Sequence, residues 1–292
     1  MTKRALLLVN PHARRGQEAR LQAIQELQKL GLDLIEESAE NPQRLPDTIR
    51  QYSSQVDCVI IGSGDGTVNA AVDALACTQL PLGILPLGTA NNLARNLGIP
   101  QSVPAACQII AGGKIRRIDL GWVNGKYFLN VAGMGLSAEI NKQVKKEFKR
   151  RWGVIAYALT ALQVLLYRRP FWAEIEGNNQ SVRVKTVQIT VCNGRYYGSG
   201  LSVADDAEID DQRLDLYCIQ INHRLQIIPL LPAILMGKQT RGVLTLQAKE
   251  ISIGTRITHP IDADGELASK TPAQFRVIPQ ALSVFVPQTV PN

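Results

Sequence analysis

Residues 62–67 read Gly-Ser-Gly-Asp-Gly-Thr, directly behind the apolar run "DCVII" at 57–61. Three glycines in five positions leave a backbone whose N–H groups can approach phosphate oxygens closely. A helix beginning near Thr67 would add about half a positive charge at its N-terminus. A carboxylate in such a loop repels phosphate, so Asp65 makes sense where Mg²⁺ lies between it and the phosphates. The plainer reading is a tight turn whose aspartate caps the helix. Far along the chain, "DADGEL" at 262–267 sets Asp264 and Glu266 on either side of a glycine, both free to point into a cleft. There the plainer reading is a hairpin turn. His12, His223 and His259 form no ligand pattern such as HExxH, and only His12 falls near the first loop.

The elements around these residues set the expected frame. In the first 125 residues short apolar runs ("ALLLV", "LDLIEE", "DCVIIG", "PLGILPLG") alternate with helical patterns such as "QEARLQAIQELQKL", "TVNAAVDALA" and "ANNLARNLG". That alternation predicts a parallel sheet covered on both faces, with ligands bound beyond the carboxyl ends of its strands. From about Tyr127 the character changes: after "YFLNVAGMG" and two helical stretches come "FWAEIEG", "VRVKTVQITVCNG", "LDLYCI", "KEISIGT", "AQFRVI" and "LSVFVP". Their period-2 alternation predicts a second, mainly antiparallel β domain. The expected division is 1–125 for the α/β domain and 126–280 for the β-rich domain, with a closing segment 281–292 free to return to the first.

Composition narrows the classes further. The chain has 292 residues, 45% hydrophobic and 20% charged, with no repeat, which suits about two folded domains. A net charge of +7 suits an anionic partner: nucleotide, nucleic acid or membrane surface. The five scattered cysteines indicate neither a disulfide framework nor a zinc site. The start "MTKRALLLVNP" is too short in apolar residues for a secretory signal, and the apolar stretches at 153–167 and 225–237 fall short of the ~20 residues that span a bilayer. No transmembrane segment and a cytoplasmic location are expected.

The motif Ser63-Gly64-Asp65-Gly66-Thr67 resembles the GGDGT signature of diacylglycerol kinases, sphingosine kinases and bacterial YegS-type lipid kinases. Five more blocks follow the same family in order. "VNPHARRG" (9–16) resembles its NPxxG loop and "PLGILPLGTANNLARNLGIP" (81–100) its PLGTxNxxA block. "FLNVAGMGLSAEI" (128–140), "NGRYYGSGLSVADDAEIDDQRLDL" (193–216) and "IDADGEL" (261–267) resemble its C-terminal half. NAD kinases and phosphofructokinases carry a similar loop, but their other characteristic segments are absent here. The resemblance implies an α/β N-terminal domain with a parallel sheet of the phosphofructokinase and NAD kinase kind, and a mainly antiparallel β-sandwich C-terminal domain.

It also implies roles. ATP phosphates would be held by Gly64, Asp65, Gly66, Thr67, Val68 and Asn69 and by the loop residues Asn10, Pro11, His12 and Arg14. Ser38 and Thr89 would touch the nucleotide. Glu266 is favoured as the base that takes the lipid hydroxyl's proton, with Asp264 assisting at a Mg²⁺ ion that Asp65 also serves. A second, structural Mg²⁺ would lie at Asp211 with the carbonyls of Glu208 and Arg213. The sequence departs from the family at Ser63, Ala70, Asn92 and Gln212, the last standing where a glycine is usual. An inactive or weak lipid- or nucleotide-binding regulator of the same fold is therefore the alternative to an ATP-dependent lipid kinase. The basic stretch "NKQVKKEFKRRWG" (141–153) suits peripheral contact with an anionic membrane carrying the lipid substrate. No nucleic-acid-binding pattern is present. The identity of the lipid and the oligomeric state stay open, a homodimer included.

Overall fold

The computed structural model describes residues 3–11, 16–135, 170–194, 196–197, 201–202, 208–221 and 242–288. His12, Arg14 and the basic stretch 141–153 lie outside the described residues.

The N-terminal elements are β1 (Arg4–Val9), α1 (Gly16–Lys29), β2 (Asp33–Ser38), α2 (Leu45–Tyr52), β3 (Cys58–Ser63), α3 (Asp65–Thr78), β4 (Leu82–Pro86), α4 (Asn92–Asn96) and α5 (Val103–Gly112). The strands pair in parallel in the order β4-β3-β1-β2. Every residue of β3 and β4 is buried, as it must be when helices cover both faces of a parallel sheet. The register sets Val9 beside both Ser38 and Gly62, and Ser63 beside Pro86. The loops that leave these strands therefore emerge side by side along the sheet's carboxyl edge, where a ligand site belongs.

The chain continues through β5 (Ile115–Val123), β6 (Lys126–Phe128), β7 (Val131–Gly135), β8 (Phe171–Gly177), β9 (Gln180–Cys192), β10 (Tyr196–Tyr197) and β11 (Leu201–Ser202). After these come β12 (Leu214–Gln220), β13 (Val243–Ala248), β14 (Glu250–Thr255), β15 (Pro260–Ala263), β16 (Glu266–Lys270) and β17 (Ala273–Phe285). The pairings among β7, β8, β9, β12, β13, β14, β15 and β16 are all antiparallel, and the alternation of buried and exposed residues in Phe171–Gly177 follows the period-2 pattern of its sequence. Among the described residues one mixed sheet thus runs from antiparallel strands into the parallel ones.

The joint is β17. Over 13 residues it pairs antiparallel with β5 and β14 and meets β4 in parallel through Val284 and Leu82. Its first half (Phe275, Val277) packs in a core with Val123, Phe128 and Ile175, and its second half (Leu282, Val284, Phe285) packs in the core built on β1, β3 and β4. The β5–β17 register shifts between Ile278 and Leu282. Asp119, a 1% exposed residue of β5, anchors that irregularity. Its carboxylate accepts from the N–H of Gln280 (2.7 Å) and from the N–H of Gln212 (2.7 Å). Both glutamines have positive φ, 51° and 59°. Gln212, at the position where a glycine is usual in the resembling family, therefore holds a left-handed conformation that an L residue adopts at a cost of about 1–2 kcal/mol, offset here by its bond to Asp119.

Candidate active site

Gly64 caps α3, its carbonyl accepting from the N–H groups of Thr67 and Val68 at 3.2 and 3.3 Å. The loop is bare for two different reasons. A Cβ on Gly88 would stand 2.5 Å from the Gly64 Cα, and one on Gly64 would stand 3.2 Å from the Gly88 Cα, so the loops after β3 and β4 need glycine to pass each other. A Cβ on Gly66, by contrast, would meet open space. Ser63 Oγ and Thr67 Oγ1 share a hydrogen bond of 2.6 Å beneath the turn, a fixed support that a glycine at 63 would lack.

Asp65 does cap a helix, but not its own. Its Oδ2 accepts from the N–H of Asn92 (3.0 Å) and its Oδ1 from the N–H of Leu93 (3.2 Å), the first turn of α4. Asn91, with φ 49°, makes the turn before that helix and cross-links the loop through Gly88 N–H (2.9 Å) and the Gly88 carbonyl (3.0 Å). Asn69 Oδ1 and Asn92 Oδ1 are buried without a hydrogen-bond partner among the described residues. Around the loop, Asn10 N–H donates to the Gly62 carbonyl (3.0 Å), Pro11 follows it, Ser38 Oγ accepts from Glu40 N–H (3.2 Å), and Thr89 is exposed.

On the other domain Asp264 (φ 48°) and Gly265 (φ 89°) form the turn between β15 and β16, with Ala263 opposite Glu266. The Asp264 carboxylate is held by three backbone donors: Leu129 N–H to Oδ2 at 2.6 Å, and the N–H groups of Asn130 and Val131 to Oδ1 at 3.1 Å each. That explains why "YFLNVAGMG" is not one strand. Residues 129 and 130 turn their N–H groups to Asp264 instead of to a strand partner, dividing β6 from β7. Glu266 is exposed and makes no hydrogen bond or ion pair with the described residues.

Burial pushes the Asp264 carboxyl up to about 6, the three backbone N–H groups pull it down, and the negative charge of Asp65 adds to the rise. The negative charge of Asp65, in the other domain, therefore reaches Asp264. Between an unfolded value of about 4 and the folded value of about 6, the folded protein holds a proton that the unfolded chain releases. The resulting stability is fully present below that window and lost as pH rises through about 6. Urea unfolding of metal-free wild type is expected to fall relative to Asp264→Ala by up to about 2–3 kcal/mol from pH 4 to 7.5. Parallel profiles for the two proteins would contradict this assignment.

Asp211 accepts from the N–H groups of Glu208 (3.3 Å) and Arg213 (3.1 Å) and from Arg213 Nε (3.0 Å), while Arg116 Nε donates to Asp210 at 2.6 Å. No group of three or more His, Cys, Asp or Glu side chains arranged for a metal occurs among the described residues. The residues that sequence reasoning did not single out are Asn96, Asp119, Asn130 and Asn193. Asn96 ends α4, Asp119 lies within β5, and Asn130 and Asn193 stand just outside strands; the importance of all four lies in partners distant along the chain.

Residues 4–123 match the family profile "Diacylglycerol kinase catalytic domain", and residues 130–286 match "YegS C-terminal NAD kinase beta sandwich-like domain". The chain belongs to the diacylglycerol kinase and YegS-like lipid kinase family. A diacylglycerol kinase of Mycobacterium tuberculosis is 32% identical over 281 residues, covering 91% of this chain and 89% of that protein. A diacylglycerol kinase of Bacillus subtilis is 28% identical, covering 80% of this chain and 79% of its own length. A crystal structure from Bacillus anthracis superposes with a TM-score of 0.86 at 27% identity, covering 99% of this chain and 97% of that one. In the terms of this kinase family, the α/β unit carries the catalytic-domain profile and the hairpin bearing Asp264 and Glu266 falls within the second profile. Among the described residues no helix is long and apolar enough to cross a membrane.

Proposed function

We propose that the protein is an ATP-dependent lipid kinase that transfers the γ-phosphoryl group to a lipid hydroxyl, such as that of diacylglycerol, between its two domains. The observation that supports this reading is the reach of α4, whose first turn holds Asp65, to the turn that holds Asp264, through the Asn96–Asn130 hydrogen bond (3.1 Å), with an unengaged Glu266 two residues further on. The diacylglycerol kinases among its relatives support the substrate class.

The Asp65 carboxylate and the oxygens of Asn69 and Asn92, left without partners among the described residues, are hard donors of the kind that would hold Mg²⁺. When bound, that ion would neutralise charge on the transferring phosphates. The N-terminus of α3 would receive phosphate oxygens at the N–H groups of Asp65 and Gly66, with Gly66 open beside them, while Thr67 and Val68, whose N–H groups are bonded to the Gly64 carbonyl, would support that turn from below, flanked by Asn10, Pro11, Ser38 and Thr89. His12 and Arg14 belong to the same loop by sequence. The lipid oxygen forms a bond to the γ-phosphorus as the bond from that phosphorus to the β–γ bridging oxygen breaks, and ADP leaves. The hydroxyl proton passes to the Glu266 carboxylate, which unlike Asp264 has no donor already on its oxygens. Asp211, whose carboxylate already takes three donors, contributes no step. Peripheral contact with an anionic bilayer, through residues 141–153, brings the lipid to the cleft.

The test is incorporation of labelled phosphate from ATP into extracted lipids, with the product identified by mass spectrometry and Mg²⁺ withheld in a parallel arm. Metal-dependent labelling of a hydroxylated lipid is expected. Lipid and nucleotide binding without transfer to any lipid would support the regulator instead.

A further inference from the structure

Resting on the kinase reading above, we infer that Asn193 is a positioning residue for Asp264: it orients, from behind, the peptide groups whose N–H ends hold that carboxylate. The Leu129 carbonyl and the Asn130 N–H belong to one peptide unit, and the Asn130 carbonyl and the Val131 N–H to the next. Asn193 Nδ2 donates to the Leu129 carbonyl at 3.0 Å, and the Asn193 backbone N–H donates to the Asn130 carbonyl at 2.9 Å. The N–H ends of the same two units donate to Asp264 Oδ1 at 3.1 Å each. A peptide unit is planar and rigid, so fixing its carbonyl end fixes the direction of its N–H.

The chemistry of the site requires a primary amide. Asn193 Nδ2 also donates to the Asp119 carbonyl at 2.9 Å, so two carbonyl oxygens face it and only an NH₂ group satisfies both. Aspartate in its place would turn acceptors toward acceptors and bury a charge close to Asp119 and Asp264. The other amide atom, Asn193 Oδ1, is buried with no partner among the described residues, in a residue only 2% exposed. Packing alone gives no reason to leave a buried acceptor unpaired, whereas the demand for two donors on the opposite side does.

The same turn is gripped from the other domain. Asn96 Nδ2, on the helix whose first turn holds Asp65, donates to Asn130 Oδ1 at 3.1 Å. A Cβ at Gly194 would stand 3.0 Å from Asn96 Nδ2, so the glycine after Asn193 lets α4 come this near. Asp65 and Asp264 are thus each fixed to backbone N–H groups, and those two sets of N–H groups are tied together through Asn96, Asn130 and Asn193.

The experiment compares the wild type with Asn193→Leu, which keeps the branched shape and removes the donors, and Asn193→Ser, which keeps one donor. Kinetics of lipid phosphorylation and amide hydrogen exchange by mass spectrometry are measured on each. For Asn193→Leu, kcat is expected to fall about 10–100-fold with the KM for ATP within about twofold, and exchange to quicken selectively in the peptide containing residues 129–131. Asn193→Ser is expected to fall between the two. A wild-type kcat in Asn193→Leu, or a loss that tracks faster exchange throughout the protein, overturns the inference. Should the wild type phosphorylate no lipid, the kinase reading falls and the exchange arm decides by itself: unchanged exchange at 129–131 overturns the pinning role, and selective loss supports it.

Discussion

Glu266→Gln is expected to lower kcat for lipid phosphorylation by about 10²–10⁴-fold while leaving the melting temperature unchanged. Glutamine keeps the length and shape of the side chain but cannot take up the hydroxyl proton. The two carboxylates beside Gly265 differ in what already occupies them. Asp264 receives three backbone N–H groups, so its oxygens are committed to holding the 129–131 turn. Glu266 is exposed and makes no hydrogen bond with the described residues, so its replacement disturbs no contact of the fold. A positioned base must reach the proton it removes, and of the pair only Glu266 has an oxygen free to do so. Steady-state kinetics over a pH series, with thermal unfolding alongside, checks this. Retention of more than about a tenth of wild-type kcat would remove Glu266 from the role of base.

Asp65→Asn is expected to cost both activity and stability. Loss of the charge that serves the phosphate site should reduce transfer by about 10²–10³-fold, the scale seen when one preorganised electrostatic group is removed. The stability loss has a separate origin. The Asp65 carboxylate accepts from Asn92 N–H and Leu93 N–H, and an amide offers one acceptor and turns its NH₂ toward the other donor. A lost cap of this kind is worth about 1–2 kcal/mol, or roughly 2–4 °C in melting temperature for a protein of this size. Glu266→Gln and Asp65→Asn are therefore expected to be alike in kinetics and unlike in calorimetry. Equal melting temperatures would mean that the bonds to α4 contribute nothing.

Much of this was legible in residue order, and the reasons are local ones. Runs such as "ALLLV" and "DCVII" are apolar throughout because both faces of a parallel strand are buried, and "FWAEIEG" alternates because only one face is. The glycines of residues 62–66 announce close approach of backbones. What they do not announce is the neighbour: Gly64 yields room to Gly88. The partners of Asp65 lie 27 and 28 residues away, and those of Asp264 lie 133 to 135 residues away. No periodicity or turn signal encodes such pairings. Asn130 and Asn193 stood inside recognisable blocks, but an asparagine in a loop reads as turn chemistry until the carbonyls around it are seen. "ANNLARNLG" promised a helix, and only Asn92–Asn96 forms one, closed by Gly98 at φ 67°. The departure at Gln212 was visible as a strained position, and its compensation by Asp119 was not.

The strand β17 gives the order of synthesis a physical meaning. Leu282, Val284 and Phe285 complete the core that Leu6, Ile60 and Leu82 begin, so the first domain's sheet lacks its β17 edge until residues 282–285 have left the ribosome. Until then β4 presents a bare edge with unpaired N–H and carbonyl groups, the kind of surface on which nascent chains associate wrongly. A strand made well after β4 seals the sheet that β4 belongs to, so the two units cannot mature one after the other.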